Sequence, residues 1–470
     1  MKPKFKIFLI FLVSILIFIG MFYCTQVFLK SQAMNQFIWN VNTFHGMFAH
    51  LPDNLPKEHI IGSYAFAFKD YYAHLPRSVS QNATPYAVLL SLLCSAYLPF
   101  LFLKRTNSGG NFKRVENSAT LLIIVLLGLA ARLFFAYHTT CNHDIVSWYI
   151  DRDILKQGRN VFAQTARYNY SPFWFWVLEL LAQVNRLLPQ FSFMFILRIF
   201  LTLVDTVTLV VVVRLAQIIH FSPRKAAALF FLNPIGVIIT GYHGQFDNIP
   251  VLFLLLAIMV YLRYGTRLFY LSWFLLTTGL IAKHEIVQQL LIFFRESTRS
   301  KIKALFWFSL SVVLFLLFFA PYWKEGSQGI LANVFQYGGI SRPYGFMLLE
   351  VVPIVAQWHK YFFIALLVIW PFCYKTSYIL RSSLAGMLLF LVFASGISAQ
   401  QFVLPIALAA LQPSFGFYLF TTVTSLFLLG NIDELKIPCF QFVEWNHIWI
   451  AVSIWFVLEL KNSNSLSHVN

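Results

Sequence analysis

Long runs of uncharged apolar residues, separated by short polar loops, recur along almost the whole chain, and no other feature constrains it as strongly. A helical run of about twenty residues reaches across the ~30 Å hydrocarbon core of a bilayer. Backbone polar groups in lipid must be satisfied within the segment, so runs of this kind fold as helices. Over 470 residues, the AVILMFWYC set makes up 59% and DEKR only 11%. A soluble domain carries about 25% charged residues. The balance excludes a cytosolic globular enzyme, a disordered chain and a disulfide-stapled secreted domain, and predicts an all-α polytopic membrane protein.

The formal charge of +17 would suit nucleic-acid binding in a soluble protein. In a polytopic chain it is better explained by Lys and Arg in cytoplasmic loops, so no nucleic-acid partner is expected. The first run, residues 7–29, follows Lys2, Lys4 and Lys6 and has no small-residue cleavage site at its end, which reads as a signal anchor. The five cysteines form no framework. Loop charge places 138–191 outside, with 172–188 lying in the interface rather than crossing. The bookkeeping gives about 12–14 crossings. It divides the chain into a two-helix extension (1–118), a membrane core (119–412) and C-terminal helices with a short tail (413–470).

The same bookkeeping puts Asp144, His243, Asp247, Lys283, His284, Glu285, Tyr344 and Gln401 on one face, away from the cytosol. Asp144, just past an apolar run, is placed to take a proton from a hydroxyl. Asp151 and Asp153 read as ordinary solvated loop acids. Arg167 and Tyr168 open an Arg-Tyr-Asn-Tyr-Ser-Pro stretch in which the arginine is suited to a phosphate. The sharpest signal is His-Gly-Gln-Phe-Asp-Asn, 243–248, between two apolar runs. Capping the following helix needs one polar residue, whereas His243, Gln245 and Asp247 together suit sugar hydroxyls or a cation. Lys283, His284 and Glu285 interrupt two apolar runs, and the second is too short to span comfortably. They suit either a phosphate leaving group or an internal Lys–Glu pair. Asp205, within an apolar run, is expected to form a buried ion network with Arg198 or Arg214. Walker, GxGxxG, HExxH and CxxC motifs are absent.

In order along the chain, these elements resemble those of the GT-C superfamily of integral-membrane glycosyltransferases. The matching elements are Asp144 in the first large external loop, Tyr168-Asn-Tyr170-Ser171-Pro172, and His243-Gly-Gln-Phe-Asp-Asn after Asn233-Pro234. Lys283-His284 and Gln401 through Pro405 follow. The resemblance covers roughly 119–412. Asp247 and Gly244 depart from the glucosyltransferase pattern, where an asparagine and an aromatic residue stand. It implies a GT-C-like fold and transfer of mannose or glucose from a polyprenyl- or dolichyl-phosphate donor to a lipid-linked glycan or similar acceptor. Transfer would occur with inversion on the periplasmic or lumenal face. Asp144 would be the base, with Arg167, Tyr168, His243, Gln245, Asp247, Lys283, His284, Glu285, Tyr344 and Gln401 in substrate binding. No resident cofactor is required, although some relatives use Mg²⁺ or Mn²⁺. The rival expectations are a secondary transporter or flippase, a polymerase of lipid-linked saccharide, and a non-catalytic assembly subunit.

Overall fold

The computed structural model describes residues 118–138, 143–298, 300–336, 344–346, 352–374, 378–394, 396–431 and 440–465. Nearly all of the expected N-terminal extension lies outside them. So do Cys24, Cys94, Cys141 and Cys439.

The described residues are helical, with no strand among them. In order they form α1 (Ser118–His138), α2 (His143–Lys156), α3 (Val161–Gln164), α4 (Pro172–Leu187), α5 (Phe193–Ile218) and α6 (Pro223–Phe231). Next come α7 (Pro234–Val237), which runs into a π-turn over Ile238–His243, then α8 (Asn248–Tyr264), α9 (Phe269–Ala282) and α10 (Val287–Thr298). Finally come α11 (Lys301–Leu317), α12 (Trp323–Gly329), α13 (Pro353–Cys373), α14 (Ile379–Phe393), α15 (Ile406–Leu411), α16 (Phe415–Asn431) and α17 (Trp445–Ser465). Many starts are written locally. Ser171, Ser192, Ser222, Asn233 and Ser300 each accept a backbone N–H in the first turn, and proline follows the cap in α4, α6 and α7.

Four described stretches are long and apolar enough to cross a bilayer: Thr120–Tyr137, Phe193–Ile218, Asn248–Ala282 and Lys301–Phe335. A fifth is added if Pro223–Phe231 and Pro234–His243, which meet at 48°, count as one bent span. The stretch Asn248–Ala282 is not a single rod. Ser272 Oγ donates to the Ala257 carbonyl at 3.2 Å, whereas fifteen residues of straight helix would separate them by about 22 Å. The chain reverses at Gly265, φ +60°, and α8 and α9 form a hairpin. Pro172–Leu187 is not among the crossing stretches. One side of it is buried through Trp174, Phe175 and Leu178, while Trp176, Leu180 and Leu187 are exposed.

These reversals sort the chain into two ends. The turns after α5 and α8 lie at one end, and rings from α8, α9, α10 and α11 meet there. Tyr261 lies 5.4 Å from Phe293, and Phe269 lies 6.2 Å from Phe294 and 5.3 Å from Trp307. That end carries Arg224, Lys225, Arg263, Arg267, Arg295, Lys301 and Lys303. The other end collects α2–α4, His243–Asn248 and Lys283–Glu285.

Asp205 joins the helices beneath that second end, with a partner other than the expected Arg198 or Arg214. Its carboxylate takes Arg132 Nε at 2.9 Å, Thr240 Oγ1 at 2.8 Å and Asn248 Nδ2 at 2.9 Å. Arg132 comes from α1, and its reach was not legible from spacing along α5. Arg198 instead donates to the Tyr242 carbonyl. Between helices in lipid, packing and hydrogen bonds replace the hydrophobic drive. Gly329 provides such packing: a Cβ there would lie 1.9 Å from the Phe162 carbonyl oxygen, so only glycine lets α12 close on α3.

Candidate functional site

Chain geometry sets the His243 segment at the end of a broken helix. Asn233 caps α7, the π-turn widens the helix, and Gly244 at φ +72° stops it in the left-handed region. Gly241 lies against the Arg132 backbone, where a Cβ would come within 3.0 Å. Trp148 Nε1 donates to the Gly244 carbonyl at 3.3 Å. Phe246 then stacks on Trp174 at 3.8 Å and 11°. The turn is thus fixed from both sides, by α2 and by α4.

Around this turn, sequence-distant residues converge. His243 Nδ1 lies 3.3 Å from Asp144 Oδ2, and both groups are partly exposed, 14% and 25%. Lys283 Nζ lies 2.8 Å from Asp247 Oδ2 and 3.5 Å from Glu285 Oε1. The ammonium sits over Phe246 and Tyr170, 4.9 and 5.2 Å from the ring centres. Gln401 Nε2 donates to Glu285 Oε1 at 2.8 Å, and its own oxygen accepts from Ser398 N at 3.0 Å. Arg167 Nε donates to Ser147 Oγ at 3.0 Å, with Asp144 and Asp151 close enough to act on its charge. Asp144 also acts on Lys283. Gln245 is fully buried, and neither of its side-chain polar atoms has a partner among the described residues.

The electrostatics separate the groups. Burial pushes Asp247 up to about 7, against the pull of Lys283. Burial also works against the charge on Lys283, but Asp247 and Glu285 outweigh it and hold the ammonium above its usual value. Burial, reinforced by Lys283, pushes His284 down to about 4, so it is neutral near pH 7 and lends no positive charge to a phosphate. Burial lowers the Arg167 guanidinium, while Asp144 and then Asp151 pull it back up.

Two candidates have other settings. Tyr168 is buried, donates to the Ser171 carbonyl and accepts from Phe175 N, which locks the start of α4. Tyr344 is buried, donates to the Leu391 carbonyl at 2.9 Å and packs near Phe402, next to Gln401, and Trp445. Asp151 departs from the expectation of a solvated acid: it is fully buried, and neither carboxylate oxygen has a hydrogen-bond partner among the described residues. Asp153 is the surface acid, paired with Arg152 and Lys156. Neither Ser147 nor the burial of Asp151 is legible in the sequence, where the mixed composition of 143–156 reads as loop. As a helix, 144, 147 and 151 fall on one face.

A divalent ion does not suit this donor set. Lys283 already lies within 2.8 and 3.5 Å of Asp247 and Glu285, so an ammonium occupies the neighbourhood a cation would need. No group of three or more His, Cys, Asp or Glu side chains suited to a metal occurs among the described residues. Comparison with family models, characterised proteins and solved structures found no match to this chain.

Proposed function

We propose that this cluster is the active site of an inverting hexosyltransferase of GT-C-like architecture, with the about 12–14 crossings that loop charge implies. It would take mannose or glucose from a polyprenyl- or dolichyl-phosphate donor on the face away from the cytosol. The carrying observation is a partly exposed carboxylate, Asp144, 3.3 Å from His243 and within electrostatic reach of Arg167 and Lys283. A base beside cations is what phosphate-leaving substitution requires. Asp144 accepts the proton of the acceptor hydroxyl. The acceptor oxygen bonds to the anomeric carbon as the bond from that carbon to the phosphate oxygen breaks. The electron pair leaves with the lipid phosphate.

Arg167 and Lys283 are the cations offered to that phosphate, Arg167 sharing its charge with Asp144 and Asp151 and Lys283 with Asp247 and Glu285. His243 orients Asp144, and the unpartnered carboxamide of Gln245 can both donate to and accept from a hydroxyl. Sidedness is supported by the basic residues at the opposite end, which the positive-inside rule assigns to the cytosol. General-base catalysis contributes about 10²–10⁴-fold. With protein reconstituted in lipid and a labelled polyprenyl-phosphate hexose, Asp144→Asn should therefore lose at least about a hundredfold in transfer, while Asp153→Asn retains it. Solute uptake without transfer would favour a transporter, and equal transfer by Asp144→Asn would refute the assignment.

A further inference from the structure

Two glutamines interrupt the short apolar run that follows Lys283–Glu285, and the proposed reaction leaves them unused. Gln288 and Gln289 open α10, three and four positions after Glu285, so the three side chains are neighbours over about one turn. Both glutamines are buried, at 4% and 2% exposure, and Ser383 on α14 is fully buried. Neither polar atom of the Gln288 side chain has a hydrogen-bond partner among the described residues. The same holds for Gln289 Oε1, Ser383 Oγ and Glu285 Oε2.

Packing brings these atoms together. Gln289 Nε2 donates to the Ser383 carbonyl at 3.2 Å, which ties α10 to α14. Gly386 stands one turn further along α14. A Cβ there would lie 3.1 Å from Gln289 Nε2 and 3.5 Å from Gln288 Oε1. The two carboxamides therefore converge on a stretch of helix that carries no side chain, and Ile292 borders the same point from α10. Buried polar atoms between membrane helices cost free energy until something bonds to them. Five such atoms on adjoining turns call for a polar occupant.

Their chemistry selects it. The set holds two carboxamides, a hydroxyl and one carboxylate, Glu285, whose charge Lys283 meets at 3.5 Å. It therefore favours neither an anion nor a cation. A carboxamide both donates and accepts, a hydroxyl does the same, and a carboxylate accepts. That pattern matches the neighbouring hydroxyls of a neutral sugar. We propose that Glu285, Gln288, Gln289 and Ser383 form the subsite for the hexose, holding its hydroxyls one helical turn inward from the charged cluster. Gln288 is its principal residue, because its whole carboxamide is unpartnered among the described residues. This inference rests on the reading of a lipid-phosphate hexose as donor. The subsite binds and orients, and makes or breaks no covalent bond.

The test uses the full chain in lipid nanodiscs at a single pH. Three probes are compared: short-chain polyprenyl-phosphate mannose, polyprenyl-phosphate glucose and bare polyprenyl phosphate. For the hexose lipid that wild type binds better, the ratio of its affinity to that of the bare lipid should fall about tenfold in Gln288→Leu and about threefold in Ser383→Ala. Affinity for the bare lipid should stay unchanged. A ratio unchanged in Gln288→Leu means that these atoms hold water only, and overturns the subsite. An equal loss for all three probes marks a structural role and overturns it too. If Gln288→Leu yields no folded protein, Ser383→Ala decides by the same ratio. The two failures are separable. Transfer of labelled hexose with an unchanged ratio sinks the subsite alone. A ratio that falls as expected without any transfer sinks the transferase reading and leaves a hexose-lipid binding site. Wild type that binds no hexose lipid sinks both.

Discussion

Replacing Lys283 with methionine removes a buried ammonium and leaves its two carboxylates behind. Lys283 and Asp247 are 1% and 0% exposed and 2.8 Å apart, with Glu285 at 3.5 Å. Breaking a buried pair by deleting one partner costs about 3–5 kcal/mol, because a charge is stranded. The stranded acid can escape by taking a proton, and Asp247 is already raised by burial to about 7. The loss should therefore depend on pH. In mildly acidic buffer Asp247 is neutral, and the cost falls toward the ~1–3 kcal/mol of an unsatisfied polar group. Removing Lys283 also removes the pull that holds Asp247 down to about 7, so the variant's acid titrates above that value, and the cost should climb toward the full ~3–5 kcal/mol only in more alkaline buffer. Wild type has a weaker trend of the same sign. Asp247 holds its proton more tightly folded than unfolded, so its contribution is complete below the unfolded value of about 3.9 and declines as pH rises toward about 7. Unfolding free energies in mixed micelles, for Lys283→Met, Asp247→Leu and the double variant, give the coupling. The double variant should be more stable than Lys283→Met, with an interaction energy above about 1 kcal/mol. Additive single losses, or a pH-independent Lys283→Met, would refute the buried-pair argument.

Asp205→Ala should cost about 3–5 kcal/mol, because it leaves Arg132 uncompensated inside the helices, and the same unfolding measurement checks it. Gly329→Ala should prevent α12 from seating on α3, since the added carbon meets backbone at 1.9 Å; faster proteolysis at 157–171 would report it, and an unchanged rate would count against the contact. Gly244→Ala should cost about 1–2 kcal/mol from its left-handed backbone. Its Cβ would also meet Ile145 at 2.5 Å and shift His243 relative to Asp144, so transfer should drop by more than stability explains.

Much of the helical plan was legible because lipid leaves a chain few options. Apolar runs mark α1, α5, α8 and α11 directly, whereas the 48° break between α6 and α7 lies inside one apolar run. Loop charge also grouped Asp144, His243, Asp247, Lys283, Glu285 and Gln401, which the fold brings to one end. Partners were harder to read. Asp205 was matched to arginines on its own helix, whereas its counter-ion comes from α1, seventy-three positions away. Asp151 was read as a loop acid because 143–156 has too mixed a composition to announce a helix. Its burial depends on α4 and the loop at 165–171 folding over it. The π-turn at Ile238–His243 has no sequence signature beyond the glycines that tolerate it.

The central claim is best tested with sealed vesicles of known orientation, a labelled polyprenyl-phosphate hexose in the membrane and a membrane-impermeant acceptor on one side. Product should form only when the acceptor is on the side of Asp144, the side opposite Arg224 and Arg263, and should vanish with Asp144→Asn. Product formed with acceptor confined to the Arg224 side, or formed equally by Asp144→Asn, would contradict the account.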